Sequence, residues 1–151
     1  MAEIRLEHVS FTYPGGYTAV EDACLTIPQG QALAILGQNG AGKTTTVKMM
    51  NNLTVPTKGN VYVGDKNPRD YTTAQIARQV GYVFQNPDDQ IFHATVYAEV
   101  EYGPRVSLRL PEDQVKARTK EALKKTGLWK MRNENPFDLP LSIRKFITVA
   151  A

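Results

Sequence analysis

Gly37-Gln38-Asn39-Gly40-Ala41-Gly42-Lys43-Thr44 decides the architecture of this chain. The stretch has the form G-x-x-x-x-G-K-[ST], and each fixed position has a physical duty. Glycines let consecutive backbone N–H groups turn inward as a nest for phosphate oxygens. The lysine ammonium reaches the β and γ phosphates, and the threonine hydroxyl is placed to ligate Mg²⁺. The flanks give the loop its setting. Residues 32–36, Ala-Leu-Ala-Ile-Leu, form a short continuous apolar run of the kind expected for a strand buried on both faces. Residues 43–52 read as a helix. A strand feeding the loop and a helix leaving it place the helix N-terminus under the phosphates, where its dipole favours an anion.

Outward from the loop, residues 4, 6 and 8 alternate and Val9 and Phe11 follow, which predicts a first strand with a bulge near His8. Ala23, Leu25 and Ile27 alternate in a second strand that ends at Pro28-Gln29-Gly30. Beyond the first helix, residues 56–60 predict a turn, 61–63 a short strand, 64–65 another turn and 73–79 a short helix. Val80-Gly81-Tyr82-Val83-Phe84 is a second apolar run suited to a parallel sheet. The character then changes to helical. Residues 95–102 predict a helix stopping at Gly103-Pro104, and a longer helix opens at Pro111-Glu112-Asp113 and closes at Lys124-Lys125 and Gly127. Residues 135–140 read as a loop and 141–151 as the start of a further helix.

A chain of 151 residues, 42% hydrophobic and 22% charged, is long enough for one domain with a core of its own. Its single cysteine, Cys24, has no partner for an internal disulfide, which fits a reducing cytoplasm. The chain opens with no signal-peptide pattern, and no apolar run nears the roughly 20 residues a membrane span needs, so a membrane role is expected to come through a partner. The formal charge of +3 is uneven, with +6 carried by residues 105–151 and −3 by the rest. The lysines of the basic part are spread along a helix without interleaved aromatics, the pattern of a solvated face.

Four segments make the chain resemble the ATP-binding subunits of ABC transporters. Phe11-Thr12-Tyr13-Pro14 resembles the adenine-stacking loop, with Tyr13 as the aromatic platform; from the residues alone Tyr13 is equally a core or surface tyrosine. The phosphate loop, extended through Thr45 and Thr46, is the second segment. Gln85, directly after the expected second buried strand, is similar to the glutamine that approaches Mg²⁺ and the attacking water. The fourth segment is Phe84-Gln85-Asn86-Pro87-Asp88-Asp89-Gln90-Ile91-Phe92, with Thr95-Val96 and Tyr102-Gly103-Pro104 behind it. It resembles the energy-coupling-factor (ECF) ATPases, which power uptake of vitamins or of cobalt and nickel.

The resemblance implies an α/β fold, the P-loop NTPase core of an ABC ATPase, with residues 1–87 as antiparallel β subdomain and phosphate-loop core and 88–151 as α-helical subdomain. It implies ATP and Mg²⁺ as ligands. Tyr13, Asn39, Gly40, Ala41, Gly42, Lys43, Thr44 and Thr45 hold the nucleotide, Thr44 and Gln85 serve the metal, and Lys43 and Gln85 serve catalysis. The implied partners are a second ATPase subunit, identical or paralogous, and a transmembrane coupling subunit met by residues 86–92 at the cytoplasmic face of the membrane; nucleic acid is not expected. In that contact Ile91 and Phe92 are apolar anchors for a partner helix, unless they pack inside the helical part.

Two departures from the family pattern stand out. The signature, typically L-S-G-G-Q, falls on Asp138-Leu139-Pro140-Leu141-Ser142-Ile143-Arg144-Lys145, where either register loses groups that would cradle a γ-phosphate across a dimer. The chain also stops at Ala151, before a Walker B run ending in Asp-Glu, so about two thirds of such a domain is expected, with its sheet incomplete. An ABC-type ATPase acting on nucleic acid, a small P-loop kinase or GTPase, and a non-catalytic interaction module are the competing classes. The short interval between Gln85 and the signature, with neither CxxC pairs nor heptads, weighs against the first, and the lack of a guanine-reading Asn-Lys-x-Asp weighs against a GTPase.

Overall fold

The computed structural model describes residues 2–151, which divide after Tyr82 into two compact units. In the first unit, β1 (Ile4–Thr12) lies between β2 (Thr18–Ile27) and β3 (Lys58–Val63), antiparallel to both. Leu6 sits opposite Leu25 on one side and Val61 on the other. Leu6 and Val9 are both buried, although an odd spacing places strand residues on opposite faces. The bulge expected near His8 resolves the conflict: register shifts fall between Leu6 and Val9 and between Glu7 and Ser10, and His8 takes φ 50°. The displaced His8 ring turns to solvent and meets Asp22 at 2.8 Å.

Helix α1 (Lys43–Met50) lays Met49 and Met50 on this sheet, joining Leu6, Val9, Val20 and Val61 in one core cluster. Each such side chain stabilises the fold by about 1.5–3 kcal/mol through apolar burial. Strand β3 begins at Lys58, inside the expected turn over residues 56–60, because Thr57 donates both its N–H and its hydroxyl to the Ser10 carbonyl, each at 2.9 Å. That pair draws the chain alongside β1 before the turn is complete. Helix α2 (Thr73–Ala77) is the short helix predicted, started by a reciprocal Thr72–Gln75 capping box and pinned by buried Ile76.

The two apolar runs expected as buried parallel strands, residues 32–36 and 80–84, are not strands. Leu36 is 89% exposed and Val83 49% exposed. A strand exists through its ladder partners, and among the described residues no strand runs beside either segment to take up its N–H and C=O groups. The hydrophobic pattern is that of strands in a parallel sheet, and the sheet is left open.

In the second unit, α3 (Val96–Tyr102) starts at Thr95, whose hydroxyl accepts from Ala98 N–H, and passes into a wide π-helical turn over Gly103–Ser107. Arg105 in that turn reaches Glu101 at 2.9 Å and Glu112 at 2.7 Å, tying the end of α3 to the start of α4 (Glu112–Lys125). The hydrogen bond from Arg105 holds the Glu112 carboxyl below its ordinary range. Helix α4 ends where the sequence predicted, in a Schellman motif: Gly127 at φ 76° donates to Lys124, and Leu128 donates to Leu123. Leu123 and Leu128 then meet in the second core with Ile91, Val96, Val100 and Ile147, the last on α5 (Leu141–Ala150). Replacing fully buried Leu123 by alanine is expected to cost about 2–5 kcal/mol, read as a lower urea midpoint. No helix among the described residues is long and apolar enough to cross a membrane.

Candidate nucleotide site

In the first unit the loop between β2 and α1 carries the predicted residues. Gly40 and Gly42 take φ 86° and 78°, the left-handed turns that let successive peptides face one way. At Gly42 the requirement is absolute, because a Cβ there would lie 2.2 Å from the Ala19 carbonyl oxygen of β2. The Lys43 ammonium folds back over the loop and donates to the carbonyls of Gly37 and Gln38 at 2.8 and 2.7 Å. Thr46 supplies the first intrahelical N–H, donating to Gly42 at 2.8 Å, which leaves the amides of residues 43–45 without a helical acceptor. No acidic side chain stands in the first turn of α1. A turn that excludes side chains, unpaired amides at a helix start and an ammonium held over the mouth form a donor set suited to a polyphosphate.

Asn39 and Ala41 sit on the exposed rim, with Ala41 N–H closing a tight turn onto Gln38 O at 3.2 Å. Thr44 is exposed at the helix start, while Thr45 is buried. Tyr13 lies over this end of the loop, its hydroxyl 3.2 Å from Thr45 Oγ1 and its ring buttressed edge-on by Phe11 at 4.9 Å. Tyr13 remains 45% exposed.

Sequence reasoning missed Tyr17. Its hydroxyl donates to the Gly40 carbonyl at 3.3 Å, and its ring lies 6.3 Å from that of Tyr13 at an interplanar angle of 19°. The clue was a second tyrosine four residues after the first, on the far side of the Pro14-Gly15-Gly16 turn. Tyr13→Ala is expected to weaken ATP affinity of the full-length protein about tenfold, in line with the value of base stacking, and Tyr17→Phe by about threefold through one exposed hydrogen bond. Fluorescence titration with a labelled ATP measures both; equal affinity in wild type and both variants would remove the tyrosines from the site.

Gln85 belongs to the second unit, exposed in a bend after Phe84 rather than at the end of a strand. The segment behind it is well fixed. Asn86 caps a 3₁₀ turn at Pro87–Asp89, Gln90 accepts from Phe84 N–H at 3.2 Å and donates to Thr148 O at 3.0 Å, and Arg144 meets Asp88 at 2.6 Å. Of the two expected anchors, only Phe92 is at the surface, 63% exposed with the edge of Tyr102 at 5.1 Å. Ile91 is 4% exposed and packs in the second core, so it is not an anchor. The signature region supplies the start of α5, with Pro140 at the cap position and Ser142 exposed in the first turn.

The sequence pattern of the ABC transporter family matches residues 20–143. This chain belongs to the ATP-binding domains of ABC transporters. An ABC transporter ATP-binding protein of Pyrococcus furiosus is 44% identical over 147 residues, which cover 97% of this chain and 56% of the relative. The energy-coupling factor transporter ATP-binding protein EcfA of Carboxydothermus hydrogenoformans is 35% identical over 147 residues, covering 97% and 54%. Among solved structures, CbiO1 of Clostridium perfringens, part of the ABC transporter complex CbiONQ, is similar with TM-score 0.84 at 32% identity, over 97% of this chain and 59% of that one. The ABC transporter cassette MJ0796, solved as a dimer, is similar with TM-score 0.86 at 25% identity, over 97% and 67%. The ABC domain here is thus homologous to general and to ECF-type cassettes, and the chain spans about half the length of the curated relatives it matches.

Proposed function

We propose that the full-length protein is the energising subunit of an ECF-type ABC importer, binding and hydrolysing ATP at the cytoplasmic face of the membrane to drive uptake of a vitamin or metal ion. The observation that carries this reading is the phosphate cradle, in which Gly42 is packed against a backbone carbonyl and Lys43 is held over the loop by two others. Homology to EcfA and to CbiO1 supports the importer class. In this reading the amides of residues 43–45 and the Lys43 ammonium offset charge developing on the γ-phosphoryl oxygens, and Tyr13 holds the adenine. The Thr44 hydroxyl and the Gln85 side chain would hold Mg²⁺, which would supply positive charge to offset that of the phosphates. Gln85 orients the attacking water. Two subunits, identical or paralogous, close over ATP, and the segment 86–92 passes that closure to a transmembrane subunit through Phe92.

Steady ATP turnover by the full-length protein in its purified transport complex, abolished by Lys43→Ala, is the test. Binding without turnover would favour a non-catalytic nucleotide-binding module, the reading to which the altered signature around Pro140 and Ser142 lends weight. Residues 1–151 on their own hold no Asp-Glu pair after the signature region to polarise the water, and are expected to hydrolyse ATP no faster than their Lys43→Ala variant in a phosphate-release assay. Turnover above that control would contradict the roles assigned.

A further inference from the structure

Glu99 is 3% exposed, and none of the assigned roles uses it. Its carboxylate oxygen Oε2 accepts three hydrogen bonds, all from two consecutive residues of the segment before α3: Phe92 N–H at 3.0 Å, His93 N–H at 2.8 Å and His93 Nδ1 at 3.0 Å. Burying a carboxylate is costly unless donors replace its water, and charge-assisted bonds of this kind are about twice as strong as neutral ones. Three of them converging on one atom fix the backbone at residues 92 and 93 and the rotamer of His93 together. The consequence is a choice between adjacent apolar side chains: Ile91 turns into the core beside Val96 and Val100, and Phe92 turns out, beside the ring of His93 at 4.3 Å and the edge of Tyr102 at 5.1 Å. Without the anchor, the backbone at residues 92 and 93 loses three of the bonds that hold Phe92 outward.

We propose that Glu99 is a positioning residue for coupling: its buried carboxylate holds the turn that presents Phe92 to the membrane partner. This rests on the docking role given above to residues 86–92. Glu99 is buried and is assigned no role at the nucleotide or the partner, so its removal should separate coupling from ATP binding. Three variants of the full-length protein, Phe92→Ala, Glu99→Ala and Glu99→Gln, are compared in the purified transport complex for ATP hydrolysis, and as the isolated subunit for Mg-ATP affinity. Phe92→Ala and Glu99→Ala are each expected to lower hydrolysis in the complex about tenfold, with affinity for Mg-ATP in the isolated subunit within about twofold of wild type. Glu99→Gln keeps an acceptor oxygen and is expected to recover to within about threefold of wild type.

Amide exchange supplies the second readout: the Phe92 and His93 amides should exchange about tenfold faster in Glu99→Ala, and about threefold faster in Glu99→Gln. Should the alanine variant not fold, unchanged exchange at both amides in Glu99→Gln overturns the proposal. Loss of hydrolysis with Phe92→Ala but not with Glu99→Ala overturns the role of Glu99 and leaves the docking role standing. Full hydrolysis with Phe92→Ala overturns both. A fall in Mg-ATP affinity for Glu99→Ala as large as the fall in hydrolysis makes the residue merely structural and likewise overturns the proposal.

Discussion

Lys43→Ala should reduce the affinity of the full-length protein for Mg-ATP by about a hundredfold or more. The ammonium is already paired with two carbonyls of its own loop, at 2.8 and 2.7 Å, so it is held over the cradle before any ligand arrives and little side-chain entropy remains to be lost on binding. One N–H is left for a phosphate oxygen; that charge-assisted bond contributes about 1.5–3 kcal/mol, and the attraction of the ammonium for the other phosphate charges adds about 1 kcal/mol, together about a hundredfold in affinity. Stability should change little, since the side chain is only partly buried. Lys43→Arg is not expected to restore binding, because a planar fork does not replace a compact point charge inside a tight loop. Calorimetric titration alongside a thermal melt separates the two effects. A variant with normal Tm and normal ATP affinity would remove Lys43 from the site.

Gly42→Ala should be as damaging by a different route. The new Cβ would stand 2.2 Å from the Ala19 carbonyl oxygen and 3.1 Å from Val20 Cγ2, with φ fixed at 78°. Left-handed backbone alone costs an alanine about 1–2 kcal/mol, and the overlap with a backbone atom has no flexible side chain to absorb it. Either the loop leaves β2, which destroys the cradle, or β2 shifts and disturbs Val20 in the core. A loss of about 3–5 kcal/mol in unfolding free energy, or retained stability with ATP binding abolished, is expected from urea denaturation and titration of the full-length protein. Unchanged stability together with unchanged binding would show that the loop does not pack in this way.

Local chemistry carried most of the legible part of this structure. The β1 bulge was visible because Leu6 and Val9 cannot share a face at regular pitch, and the end of α4 was visible in Lys124-Lys125 and Gly127. The phosphate-loop pattern was visible because glycine spacing and lysine suit one anion and the threonine hydroxyl suits the cation that accompanies it. What sequence could not supply was anything that depends on a partner segment. Residues 32–36 and 80–84 have the composition of buried strands, yet composition does not provide the neighbouring N–H and C=O groups that make a strand. Ile91 and Phe92 are adjacent and equally apolar, and sequence alone does not show the contacts that set which faces out, among them the three hydrogen bonds to Glu99, seven residues beyond Phe92. Tyr17 lacked a motif position, so its link to Gly40 emerged from the turn geometry alone.

Titration of the full-length protein with Mg-ATP, followed by calorimetry and by amide hydrogen exchange at residues 40–45, tests the phosphate cradle most directly. Saturable heat accompanied by protection of those amides is the expected result. No heat and no protection would contradict the assignment of this loop as the nucleotide site.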